Sequence, residues 1–172
     1  RDEVGAYIPQ GEFAPPKELY ESDQVIKAPV QLPEKEFALI WPLKSMHLNR
    51  GFISGGTREH HGIDLRGRLG TPIFAAHPGT VIYAGNRFRG YGKMIIIEYN
   101  EHWATLYAHL NNLKVKTGDI VAVGQKVGTM GRTGRASGVH LHFELLHDKI
   151  PIDPVPFLSR AEANMRREIA NQ

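Results

Sequence analysis

The chain has 172 residues, 41% hydrophobic and 23% charged, which suits one globular domain with room for tails. It contains no cysteine, so disulfides and thiolate metal sites are excluded, and no apolar run approaches the roughly 18 to 20 residues that span a membrane. A formal charge of +3, spread rather than blocked, gives no support to a nucleic-acid partner.

Residues 1–36 read as an extended arm or linker, because Pro9, Pro15, Pro16, Pro29 and Pro33 interrupt any long helix. Arg1 rather than Met leads the sequence, so a processed chain is expected, with any signal peptide or membrane anchor lying outside it. From Phe37 to about Leu158 the pattern becomes strand, turn, strand. Pro72 to Ala76 is followed by the turn Pro78-Gly79 and then Thr80 to Ala84. Met94 to Tyr99 carries the buried run Ile95-Ile96-Ile97. Further strands are expected at Ala104 to Ala108, Leu113 to Lys116, Ile120 to Val123, Lys126 to Met130 and Leu141 to Leu146. Short strands punctuated by glycines predict a mainly β domain, an antiparallel sandwich or barrel, over residues 37–158. Ser159 and Glu162 form a capping-box signature, so residues 159–172 are expected to form a short C-terminal helix.

Five of the nine histidines fall in three short motifs: His60-His61-Gly62-Ile63-Asp64, Tyr107-Ala108-His109-Leu110 and His140-Leu141-His142-Phe143-Glu144. In the third, strand alternation puts His140, His142 and Glu144 on one face and the apolar Leu141, Phe143 and Leu145 on the other. Two imidazoles roughly 6 to 7 Å apart at the backbone would then share one wall. One could hold a metal while its neighbour reaches a bound water. The competing reading is a polar, solvent-facing strand side that happens to carry histidines. His60 or His61, with Asp64, could supply two more ligands. An extended five-residue segment would separate His60 and Asp64 by roughly 13 Å, so it must bend, and Gly62 is placed to allow this. Two histidines and a carboxylate leave a fourth tetrahedral position for water, as in a hydrolytic zinc site. No His-Glu-x-x-His helix supplies a glutamate base, so His109 and His140 are the candidates for proton handling.

In this order the three motifs resemble the LytM-type zinc metallopeptidases of family M23. Further matches lie between them at Gly70-Thr71-Pro72-Ile73, Gly79-Thr80-Val81, Gly90-Tyr91-Gly92 and Gly131-Arg132-Thr133-Gly134. The resemblance runs from about Trp41 to Leu158. It implies a duplicated hybrid motif fold and one zinc ion held by His60, Asp64 and His142, which decides for His60 over His61. It also implies that His109 and His140 are the catalytic histidines, with Glu144 either fixing a histidine tautomer or making an ordinary surface ion pair. The implied substrate is the peptide part of bacterial peptidoglycan, by preference the D,D cross-link rather than a glycine bridge, in the periplasm or otherwise in the cell envelope. A LytM-type domain that activates other wall hydrolases instead of cutting is the alternative, although such domains commonly lack one of the five residues present here. Val139 stands where the family commonly has proline. His77, His102 and His147 match no functional position and are expected at the surface, and His47 is assigned no role. A lipoyl or biotin carrier is suggested by Val115 to Gly128 but lacks an exposed hairpin lysine. Asp2, Asp23 or Asn49 could offer an oxygen to the metal if the arm occludes the site.

Overall fold

The computed structural model describes residues 37–158 apart from Met46. The arm 1–36 and the helix expected over 159–172 therefore lie outside the described residues. Ten strands follow in chain order: β1 (Leu48–Arg50), β2 (Ile63–Arg66), β3 (Pro72–Phe74), β4 (Gly79–Gly85), β5 (Lys93–Glu98), β6 (Trp103–Leu113), β7 (Ile120–Val121), β8 (Lys126–Met130), β9 (His140–His147) and β10 (Ile150–Ile152). They form one sheet in the order β1-β2-β9-β6-β5-β4-β7, with β10 on β9 and β8 joined to both β3 and β6. Each pair is antiparallel. The mainly antiparallel β fold is as expected, and a helical turn at 155–158 begins slightly before the anticipated cap at Ser159.

The central strands are covered on both faces. From β5, Ile95 and Ile97 enter a large core with Ile63, Leu65, Tyr107, Leu141, Phe143 and Leu145. Met94 and Ile96 enter a smaller core with Tyr83, Tyr91, Leu106, Ala108 and Leu146. A strand buried on both sides reads as a continuous apolar run, which is why Met94-Ile95-Ile96-Ile97 shows no alternation.

Of the expected strands, Leu113 to Lys116 does not form as a separate element, and Ile120 to Val123 is shorter than anticipated. Lys114 to Lys116 lie beyond the end of β6, in a turn where Lys116 N–H donates to Asp119 Oδ2 at 3.0 Å and Gly118 adopts a φ of 97°. Ala122 and Val123 likewise leave β7 for a turn at Gly124, whose φ is 76°. In both cases β-prone side chains yield to a glycine in the left-handed region.

The long strand β6 changes partner halfway. It pairs with β9 as far as Ala108↔His142 and with β8 from Leu110↔Met130. Against β5 its register slips between Ile95↔Tyr107 and Lys93↔Leu110, so one additional residue of β6 bulges out. His109 lies in this bulge with a φ of 61°, a left-handed conformation unusual for a residue that is not glycine.

Candidate metal centre and its histidines

The pairing of β2 with β9 builds the site. Asp64 stands directly opposite His142, and Arg66 opposite His140. Opposed residues of an antiparallel pair share a face, so the four side chains form a two-by-two grid. His60 joins from the bend before β2, where its backbone bridges to Ile53. The bend is required, but Gly62 does not serve it through a positive φ. A Cβ at Gly62 would lie 2.3 Å from the carbonyl oxygen of Phe143, so a side chain there would push β2 away from β9. His61 points elsewhere, with Nε2 3.4 Å from Glu59 Oε1.

The atoms converge. Asp64 Oδ1 lies 3.1 Å from His60 Nε2 and 2.8 Å from His142 Nδ1. One ligand atom from each of the three residues lies within 4.8 Å of the others, a spacing that could hold a metal ion. Two imidazoles and one carboxylate suit zinc with a position left open. His60 Nδ1 donates to Gly51 O at 2.8 Å, which turns Nε2 toward the cluster.

His142 lies between two carboxylates. Its Nδ1 donates to Asp64, and its Nε2 donates to Glu144 Oε1 at 2.8 Å. Carboxylates only accept, so both ring nitrogens carry protons here. Burial favours the neutral ring, but the two carboxylates outweigh it and raise the pKa to about 9. Burial would likewise raise the pKa of Asp64, yet hydrogen bonds from His142 and His60 hold that carboxyl far below its usual range.

Glu144 is 1% exposed, which removes the surface ion-pair reading. Its Oε1 also accepts from Tyr91 Oη at 2.9 Å. The hydroxyl and carboxylate together fix the ring of His142, an arrangement known to orient metal-binding histidines. Tyr91 has no role that its sequence neighbours reveal. It lies 53 positions before Glu144, and only the Gly90-Tyr91-Gly92 pattern points to it.

The other two histidines share one tautomer. His109 Nδ1 donates to Thr133 O at 2.7 Å, and His140 Nδ1 donates to Gly138 O at 2.9 Å. When neutral, each keeps Nε2 as the acceptor. Their ring centroids are 4.8 Å apart, and His140 Nε2 lies 3.7 Å from Asp64 Oδ1. Burial, followed by the charge of His142 and His140, lowers the His109 pKa to about 4. His140 and His142 therefore do not line a solvent-facing strand side.

The remaining histidines divide. His47 is exposed, His102 lies at the surface beside Asp148 and His147 is half-buried. His77 departs from expectation. It is 1% exposed, donates from Nδ1 to Pro78 O and reaches Thr105 Oγ1 with Nε2 at 2.8 Å. Polar partners on both ring nitrogens let it sit in the interior, and its neighbours in sequence give no sign of them.

The model of peptidase family M23 matches residues 58–154. The "Lipoprotein NlpD/LppB homolog" of Pseudomonas aeruginosa is 43% identical over 120 residues, covering 70% of this chain and 39% of that protein. The "Murein hydrolase activator NlpD" of Escherichia coli K12 is 39% identical over 119 residues, covering 69% of this chain and 30% of that protein. The chain thus spans well under half the length of these curated relatives. Among solved structures, a zinc-containing peptidase from Vibrio cholerae superposes with a TM-score of 0.64 at 32% identity, covering 68% of this chain and 39% of that one. The matched region contains all three histidine motifs, and the chain belongs to peptidase family M23, with a LytM-type fold.

Proposed function

We propose that this chain is a zinc-dependent endopeptidase acting on the peptide cross-links of bacterial peptidoglycan in the cell envelope, by preference the D,D cross-link. The observation that carries the reading is the complete donor set: His60, Asp64 and His142 converge, with His109 and His140 beside them. Zinc, when bound there, would activate a water and polarise the scissile carbonyl. The chain's own residues would do the rest. Glu144 and Tyr91 hold the His142 ring in place. His109 and His140 present Nε2 to accept a proton from the attacking water and return it to the leaving amine, and their N–H form steadies the developing oxyanion. Backbone carbonyls at Thr133 and Gly138 hold both rings in the tautomer this needs.

The names of the curated relatives favour a second reading. Several are called murein hydrolase activators or lipoproteins, and in those terms the chain would bind and stimulate another wall hydrolase. A lipoprotein relative also agrees with an anchor outside this sequence.

Digestion of purified sacculi, with and without zinc, separates the readings. An endopeptidase releases fragments in which cross-linked dimers have disappeared, as read by mass spectrometry, and the His109→Ala variant does not. An activator cuts nothing alone but accelerates an added murein hydrolase, and keeps doing so as His109→Ala.

A further inference from the structure

Beside the metal triad runs a groove of about 280 Å³ whose walls include Asn49, Asp64, Arg66, Ser137, Val139 and His140. Arg66 follows Asp64 by two positions on β2, so both project to the same side, roughly 6 to 7 Å apart at the backbone. Arg66 also stands opposite His140. Its Nε donates to Asn49 Oδ1 at 2.7 Å, which holds the head of an otherwise exposed side chain. The two terminal guanidinium nitrogens meet no acceptor among the described residues. Asp64 is the carboxylate lining the groove, and its Oδ1 is already engaged by His60 and His142.

We propose that Arg66, braced by Asn49, is a specificity residue that grips a substrate carboxylate on the carbon bearing the scissile amide nitrogen. A planar guanidinium with one edge tethered presents its other donors as a fork, and a carboxylate matches that fork with two parallel hydrogen bonds. Lysine would supply the charge without the geometry. In the proposed arrangement the scissile carbonyl lies at the triad, beside His140, with the amine side of the substrate directed along the groove toward the Arg66 corner of the grid. A D-alanyl-diaminopimelyl cross-link carries a carboxyl on the carbon bearing the scissile nitrogen, either free or amidated. A divalent ion in the triad offsets the charge of Asp64, which would otherwise repel this ligand. The assignment rests on the peptidase reading.

The test uses two cross-linked muropeptide dimers that differ only in whether that carboxyl is free or amidated. Wild type should favour the free acid by about tenfold in kcat/KM, expressed mainly in KM. Arg66→Gln should lose the preference by weakening only the free acid, with zinc content and melting temperature unchanged. Asn49→Ala should lose part of it. Dissociation constants of both dimers for zinc-loaded His109→Ala protein, with and without Arg66→Gln, form an independent arm. If wild type cuts neither dimer, the peptidase reading fails and these constants alone judge the grip. A preference that survives Arg66→Gln in kinetics or binding overturns the proposal, as does equal treatment of the two dimers by wild type.

Discussion

On the proposed zinc reading, His142 is the residue whose chemistry changes most on metal binding. Without metal it is an imidazolium held between Asp64 and Glu144, with a pKa raised to about 9. A ligand nitrogen must be unprotonated, so binding through Nδ1 expels that proton while Nε2 continues to donate to Glu144. Zinc titration at pH 7 should therefore release about one proton per chain from this ring, read by calorimetry in two buffers of different ionisation heat. No release would mean that His142 is neutral beforehand or not a ligand. Substitution should separate the roles. His142→Ala is expected to lose zinc and hydrolysis together, whereas His109→Ala keeps zinc and loses hydrolysis. Equal zinc loss in both would undo the division between ligand and proton carrier. Glu144→Gln should weaken zinc by about 10- to 100-fold while leaving the ligands in place.

At the scale of elements, the site depends on how closely β2 and β9 approach and on the bulge in β6. Gly62→Ala places a methyl group against the Phe143 carbonyl, a backbone atom that cannot turn aside. The cost should be about 1 to 3 kcal/mol, seen as a lower denaturation midpoint, and zinc affinity should fall because Asp64 moves relative to His142. An unchanged midpoint would show that the strands tolerate the separation. The bulge makes a different demand. His109 adopts a φ of 61°, so His109→Gly should be more stable than His109→Ala by about 1 kcal/mol, reversing the usual order within a strand. If alanine proves the more stable, no strain is stored there. These elements also show what is legible in sequence and what is not. His140-Leu141-His142-Phe143-Glu144 reads directly, because period-two alternation with apolar partners assigns each side to its face. The bulge does not. Tyr107-Ala108-His109-Leu110 looks like uninterrupted strand, and no glycine marks the positive φ. Gly62 reads as a bend, and the chain does bend there, but its second role is hidden, since Phe143 is remote in sequence and steric closeness leaves no local mark.

For the molecule as a whole, the candidate metal site is only one of the places where protons couple to structure. His77 is buried between the rings of Phe37 and Tyr99, and its bonds to Pro78 and Thr105 continue to Tyr107 Oη, which accepts from Ala76 N–H. This chain of bonds ties the β3–β4 turn to the middle of β6. Burial lowers the His77 pKa to about 4, against a value of about 6.5 in an unfolded chain. Between those values the unfolded state takes up a proton that the folded state refuses. His77's contribution to stability is therefore fully present above about pH 6.5 and is lost as the pH falls toward 4, on the order of 3 kcal/mol in total. Glu98, raised by burial, acts in the opposite direction in acid, so the whole protein's pH profile will not isolate the effect. The difference between wild type and His77→Gln will, because the glutamine amide can keep polar contacts and does not titrate in this range. Urea unfolding of both at intervals from pH 7.5 to 4.5, in chelator so that metal does not intervene, should show the wild-type advantage shrinking steadily with acid. A constant difference would mean that His77 titrates alike in both states, and that the interior opens to protons around β6 more readily than its burial implies.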